Sequence, residues 1–187
     1  MMNASGKYTR TAMALHWVVA VLITINVALA WTVDLFPDGM VRPVIDLHKS
    51  IGLTVLGLAL LRILWRLSHR PPAMPASYPR IERAAAHAAH LVLYGLIVGL
   101  PLSGWLHDSA YKDAANAPLR LFGVIPWFRI ALLANLDPVT KEHWHSLLYL
   151  VHESLAYVLY GLVALHILGA LKHQFVDRHA ELQRMLP

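Results

Sequence analysis

The 187-residue chain is 57% hydrophobic and only 14% charged, with a formal net charge of +5 and no cysteine. This composition is typical of a membrane protein, and the lack of cysteine excludes disulfides, thiolate-bound iron–sulfur clusters, cysteine zinc sites and covalent c-type haem attachment. Nucleic-acid binding is disfavoured because the basic residues sit at the ends of apolar runs rather than in one patch.

Four apolar runs predict transmembrane helices at about residues 11–33, 44–67, 84–106 and 146–171. Each run exceeds the about 20 residues that a helix needs to cross the hydrocarbon core of a bilayer. The sequence therefore predicts an all-α membrane protein, a bundle of four transmembrane helices that forms a single domain over residues 1–187.

Two connections between the runs have a distinctive composition. The proline-rich RPPAMPASYPR joins the second and third runs and predicts a stiff, extended linker. The longest connection covers residues 107–145 and contains VIPWFRIALLAN, which is too short to span a bilayer. We expect this connection to be a periplasmic loop with a segment that lies along the outer membrane interface.

The distribution of Lys and Arg predicts the orientation of the bundle. One side holds ten of these residues: Lys7, Arg10, Arg62, Arg66, Arg70, Arg80, Arg83, Lys172, Arg178 and Arg184. The other side holds six, which are diluted by acidic residues: Arg42, Lys49, Lys112, Arg120, Arg129 and Lys141. Because cytoplasmic loops carry the excess of positive residues, both termini are predicted to be cytoplasmic.

Four of the twelve histidines fall at informative depths within these runs. His152 and His166 are fourteen residues apart, which is about 40° short of four full turns, so both face the same way at a separation of ~21 Å. His16 lies near the cytoplasmic end of the first helix, and His48 lies near the periplasmic end of the second. Depth therefore pairs His16 with His166 and His48 with His152. Two neutral imidazoles from different helices are the axial ligands of a low-spin haem b, which predicts two such haems.

Spacing alone leaves several alternatives open. His90 has much the same depth as His16 and is a rival ligand. Zinc is disfavoured because a structural zinc site needs four clustered ligands. A proton relay would need further buried carboxylates besides Glu153 of the fourth predicted span. Arg62 follows His48 by fourteen residues on the same helix face, so it either contacts a haem propionate or a quinone, or extends to the membrane surface as a snorkelling arginine.

The sequence resembles the bacterial cytochrome b561 family, small di-haem b-type proteins related to the cytochrome b subunits of nickel hydrogenases. The resemblance covers nearly the whole chain and rests on KYTRTAMALHW, VIDLHKSIGLTVLGLALLRILWRL, HAAHLVLYGLIVGLPLSGW and VHESLAYVLYGLVALHILGALKHQF. It implies a multi-pass protein of the bacterial inner membrane. It also implies that the axial ligands are His16, His48, His152 and His166, and that His87 and His90 are not ligands.

By this resemblance we expect transmembrane electron transfer, with superoxide or another periplasmic donor oxidised and ubiquinone reduced. Lys49, Arg42 and Arg129 are candidates for attracting the anion to the outer surface. One alternative is a membrane-anchor subunit that passes electrons between quinone and a separate dehydrogenase, hydrogenase or periplasmic partner. A second is a transporter or assembly protein without redox activity whose histidines bind a transition metal. Association into homo-oligomers is left open.

Overall fold

A computed structural model describes residues 7–74, 78–114 and 116–186. Within these ranges, four helices are long and apolar enough to cross a membrane, which confirms the predicted helical bundle. They are α1 (Arg10–Thr32), α2 (Asp38–Ser68), α3 (Arg80–Ser109) and α5 (Pro138–Leu171).

The connections carry several short elements. A 3₁₀ turn (Val33–Leu35) follows α1, and a π-helical turn (Lys172–Val176) continues α5. Between α3 and α5, an antiparallel hairpin of β1 (Arg120–Leu121) and β2 (Ile125–Pro126) precedes the single-turn α4 (Ala131–Ala134), and α6 (Glu181–Met185) lies near the C-terminus.

All four long helices begin earlier than the apolar runs indicate, α1 by a single residue, and α3 continues to Ser109. The early start of α5 has a local cause. The Asp137 carboxylate accepts hydrogen bonds from the backbone N–H groups of Val139 and Thr140, and Pro138 fills the first helical position. The predicted loop 107–145 is consequently reduced to residues 110–137, and its segment VIPWFRIALLAN is divided between β2 and α4.

The long helices pack in chain order, α1 on α2, α2 on α3 and α3 on α5. Val19 of α1 with Ile51 and Val55 of α2 form the main buried apolar cluster of the described residues. In α5, Leu159 is the one residue that is buried, at 2% exposure. The direct helix-to-helix core is therefore small for a bundle of this length.

The two ends of the bundle differ in what they carry. The backbone N–H of Tyr8 donates to the Arg184 carbonyl at 3.1 Å, so the two terminal regions meet at one end, here called the terminal end. The β-hairpin lies at the opposite end, called the hairpin end, where the Phe122 backbone N–H donates to Ser50 Oγ of α2 at 2.9 Å.

Candidate functional site: two histidine pairs

The four predicted ligands lie in two pairs, and the structure brings together the same residues that the spacing pairs by depth. At the hairpin end, the ring centroids of His48 and His152 are 6.2 Å apart with an interplanar angle of 80°. At the terminal end, the centroids of His16 and His166 are 6.4 Å apart with an angle of 71°. These two sets are called the hairpin-end pair and the terminal-end pair.

The separation within each pair fits a single metal ion held between two rings. Two metal–imidazole bonds of about 2 Å, together with about 1 Å from each nitrogen to its ring centre, give trans ligands a centroid separation of roughly 6 Å. Rings in direct hydrogen-bonded contact can come closer, as His107 and His145 do at 4.0 Å. The residues present therefore fit the axial ligation of two b-type haems.

Helix α3 builds the environment of His152. The Nδ1–H of His152 is directed at the Leu100 carbonyl at 3.1 Å and at Ser103 Oγ at 3.0 Å. A Cβ placed on Gly104 would lie 3.0 Å from His152 Cε1 and 3.2 Å from Nδ1, so the absence of a side chain there makes room for the ring. With Nδ1 committed to α3, Nε2 is left as the ligand atom, which is how metal-binding histidines are usually oriented.

His48 is oriented in the same way by α1. Its Nδ1–H donates to the backbone carbonyl of Asn26 at 3.1 Å. Both members of the hairpin-end pair thus use a backbone carbonyl of a neighbouring helix to fix the tautomer that leaves Nε2 free.

The terminal-end pair has different surroundings. His16 Nδ1 is buried without a hydrogen-bond partner among the described residues. His90 of α3 contacts the His166 ring edge-on, with centroids 5.3 Å apart. This separation is shorter than that of either pair, so His90 lies beside His166 as a neighbouring ring rather than at the spacing of a trans ligand. His87 is exposed and its Nδ1 donates to the Arg83 carbonyl.

Arg62 lies at the depth of the terminal-end pair. Its charge is close enough to act electrostatically on both His16 and His166. The guanidinium also lies over the ring of Tyr94, 5.2 Å from the centroid, and no carboxylate is paired with it among the described residues. A cation in this position can pair with a haem propionate or donate to a quinone oxygen.

The predicted outer cations have carboxylate partners. Lys49 Nζ is 2.7 Å from Asp108 Oδ1, and Arg129 Nε is 2.9 Å from Asp108 Oδ2. Arg129 also donates to the backbone carbonyls of Ala114 and Ala117, so it fastens the loop that follows α3. Its side chain is only 11% exposed. Arg129 is therefore enclosed by protein groups and acts on an external anion less directly than an exposed cation.

Arg42 is the most exposed of the three outer cations. Its Nε is 3.1 Å from Asp46 Oδ2, and its side chain is 42% exposed. These three cations and the carboxylates of Asp46 and Asp108 form a local cluster with one net positive charge. The hairpin end as a whole holds six Lys and Arg residues against seven Asp and Glu residues.

Sequence reasoning missed two features of the site. Asp108 was placed outside the third span, whereas α3 includes it and buries it. Ser103 carried no recognisable signal, because its contact with His152 joins positions 49 residues apart. Gly104 stood out in the sequence only as one of several glycines suited to close helix packing.

A separate cluster lies at the terminal end, where His173, Asp177 and Glu82 bring potential metal-ligand atoms together. Lys172 already lies between the two carboxylates, with Nζ 2.7 Å from Glu82 and 3.0 Å from Asp177. Its hydrogen bond keeps the pKa of Asp177 below the ordinary range. The ammonium thus provides the positive charge that these carboxylates need, and it joins the end of α5 to the start of α3.

Known proteins are similar to this chain over nearly their whole length. A family model described as prokaryotic cytochrome b561 matches residues 7–187. "Cytochrome b561 homolog 2" of Escherichia coli (strain K12) is 35% identical over 98% of this chain and 93% of its own length. "Probable superoxide oxidase CybB" of Yersinia pestis is 32% identical over 97% and 96%, and "Cytochrome b561 homolog 1" of E. coli is 25% identical over 97% and 98%.

Proposed function

The chain belongs to the prokaryotic cytochrome b561 family, and we propose that it passes electrons through two b-type haems from superoxide or another periplasmic donor to ubiquinone. Members of this family bind b-type haem and transfer electrons in the bacterial inner membrane. The observation that carries this proposal is the pair of imidazole separations, 6.2 Å near one end of the bundle and 6.4 Å near the other. One haem per pair gives the electron a path across most of the membrane.

Each residue of the site has a part in this function. His48 and His152 hold the periplasmic haem, and His16 and His166 hold the cytoplasmic one. Haem b held between two imidazoles would supply one-electron redox chemistry. Leu159 is half-way between the two α5 ligands and is buried, so apolar side-chain volume separates the two sites.

The orientation follows from the charge distribution. The terminal end holds ten Lys and Arg residues against six on the other side, which supports cytoplasmic termini and a periplasmic hairpin end. Arg62 then lies on the cytoplasmic side, where it pairs with a propionate or with the quinone.

Superoxide is the favoured donor for two reasons. The similarity to a protein named as a probable superoxide oxidase supports it. The local cluster of Arg42, Lys49 and Arg129 with Asp46 and Asp108, which carries one net positive charge, also favours a small anion beside it. The reaction balances when two superoxide anions lose one electron each to give two molecules of oxygen. One ubiquinone then takes up two electrons and two protons to become ubiquinol.

Haem content and superoxide-driven reduction test the proposal together. The purified holoprotein should contain two haem b per chain and show a low-spin b-type spectrum. In stopped-flow experiments, superoxide should reduce the haems, superoxide dismutase should abolish this reduction, and added ubiquinone should reoxidise them. The rate of reduction should fall as ionic strength rises, because salt screens the attraction between an anion and exposed cations.

Each other outcome contradicts a defined part of the proposal. A protein without haem would instead support the transporter or assembly role. A protein with two haems that is inert to superoxide but is reduced by a co-purifying subunit would support the membrane-anchor role. Arg42→Gln should slow reduction by superoxide. Lys112→Gln, at an exposed side chain in the loop after α3 at the same end of the bundle, is the matched control for loss of one positive charge.

A further inference from the structure

The two histidine pairs differ in what their second ring nitrogens contact. In the hairpin-end pair, both Nδ1–H groups donate to backbone carbonyls, His48 to Asn26 and His152 to Leu100, each at 3.1 Å. Ser103 Oγ is a further acceptor for His152 at 3.0 Å.

The terminal-end pair has no such acceptors within the described residues. His16 Nδ1 is buried and unbonded. The His166 ring contacts the rings of His16 and His90, but its nitrogen atoms make no hydrogen bond with any described residue. The two pairs therefore present imidazoles of different electron-donating strength to whatever metal they hold.

Hydrogen bonding at Nδ1 has a defined effect on a metal site. Donation of the Nδ1–H to a carbonyl makes the imidazole a more basic ligand. A more basic ligand stabilises the ferric over the ferrous state, because the higher charge on iron gains more from electron donation. Second-shell hydrogen bonds are among the means by which a protein adjusts haem potential. Such hydrogen bonds would lower the reduction potential of a haem held at the hairpin end.

Local charge acts in the same direction. Arg62 lies within electrostatic range of both terminal-end rings and has no carboxylate partner among the described residues, so it favours the reduced haem, which carries one more electron. At the hairpin end, Lys49 also lies close to His48. Its charge is offset, however, because Asp108 and Asp46 lie 2.7 and 3.5 Å from Nζ.

From these two differences we infer that the His48/His152 pair holds the haem of lower reduction potential and the His16/His166 pair holds the haem of higher potential. The difference drives electrons from the hairpin end to the terminal end. The inference rests on the proposed function, since it requires one haem at each pair, and it adds a built-in direction for the electron. Ser103 and Arg62 are the tuning residues that this chain contributes through side chains.

Spectroelectrochemical titration of the purified holoprotein tests the order of the potentials. The wild type should show two one-electron waves. His152→Ala should retain the wave of higher potential, and His166→Ala should retain the wave of lower potential. The reverse assignment would overturn the inference while leaving the two-haem function intact. A wild-type protein with fewer than two haems would instead refute the proposed function itself.

Two side-chain variants test the cause. Arg62→Gln should lower the potential of the higher-potential haem and leave that of the lower-potential haem unchanged. Arg66→Gln is the matched control, because Arg66 lies over the same Tyr94 ring at 5.4 Å. This control variant is expected to change neither potential. Ser103→Ala should raise the lower wave alone and provides a second readout if Arg62→Gln loses haem. Equal shifts of both waves, or no shift in both Arg62→Gln and Ser103→Ala, would show that these contacts do not set the difference.

Discussion

At the scale of single residues, the site depends on space as much as on ligands. Gly104 lies against the His152 ring so closely that any Cβ would meet ring atoms at 3.0 to 3.2 Å. Ser103 and Leu100, from the same turn of α3, hold the Nδ1 atom of that ring. This turn of α3 therefore decides both where the ring lies and which nitrogen is free.

Gly104→Ala should displace His152 and cause loss, or conversion to high spin, of one of the two haems. The ratio of haem to protein and the reduced-minus-oxidised spectrum measure this effect. Gly57→Ala is the control, because a Cβ at that exposed helical position meets nothing within 4 Å. If Gly104→Ala keeps two low-spin haems, the His152 ring has more room than its contacts indicate.

Substitution also distinguishes the terminal-end ligand from its neighbour. His16→Ala should remove one haem, since the His16 ring is at the ligand spacing from His166, whereas His90→Ala should leave both haems low-spin. Haem stoichiometry and absorption spectra are the readouts. Loss of a haem in His90→Ala but not in His16→Ala would assign the ligand to α3 instead of α1.

The sequence predicts which four histidines come together in two pairs, but not what surrounds them. The interval of fourteen residues in one helix fixes a common face for His152 and His166, and this regularity does not depend on other helices. The positions of Ser103 and of the Asn26 carbonyl depend on how α3 and α1 pack against their neighbours. Hydrophobic patterning specifies that such helices pack but not which residues of two neighbouring helices meet.

At the scale of elements, the hairpin end is organised around one buried carboxylate. Asp108, at the end of α3, joins Lys49 of α2 to Arg129 of the loop, and Arg129 binds the backbone of that loop. The sequence does not predict this arrangement, because the apolar run ends at Leu106 whereas the helix continues through Asp108. Asp137 and Pro138 are typical of a helix N-terminus, but the apolar run begins only at residue 146. A helix start placed by hydropathy therefore falls too late in the chain.

Asp108→Asn should destabilise the protein by about 3–5 kcal/mol, because it leaves Lys49 and Arg129 as largely buried cations without their shared anion. Thermal and denaturant unfolding of the protein in detergent would measure the change. Glu142→Gln breaks the exposed ion pair with Lys112 and should cost about 0–1 kcal/mol. Equal stability losses in the two variants would contradict a structural role for the buried network.

At the scale of the whole molecule, the terminal regions are joined to one another and to the linker between α2 and α3. Trp17 Nε1 of α1 donates to the Met185 carbonyl at 2.8 Å, and Arg184 donates to the carbonyls of Pro72 and Ala73. Tyr78 OH donates to Glu181 of α6, and its ring stacks on His173. All of these groups lie at the same end as the terminal-end pair, so the two terminal regions and the linker are held together there.

The orientation of the bundle is testable by labelling, because the natural chain has no cysteine. In cells with a permeabilised outer membrane, a membrane-impermeant maleimide should label Lys112→Cys, an exposed position in the loop that carries the hairpin. It should label Arg70→Cys, an exposed position at the terminal end, only after the inner membrane is opened. The opposite pattern would place the termini in the periplasm and reverse the proposed direction of electron flow.

The angle between the rings of each pair has a spectroscopic consequence. At 80° and 71°, the imidazole planes are close to perpendicular in both pairs. Crossed axial planes make the two iron orbitals of π symmetry nearly equal in energy, because each ring interacts with a different one. The oxidised protein should therefore give strongly anisotropic low-spin electron paramagnetic resonance signals with a large maximal g value, and parallel-plane signals would show that the rings rotate when haem binds.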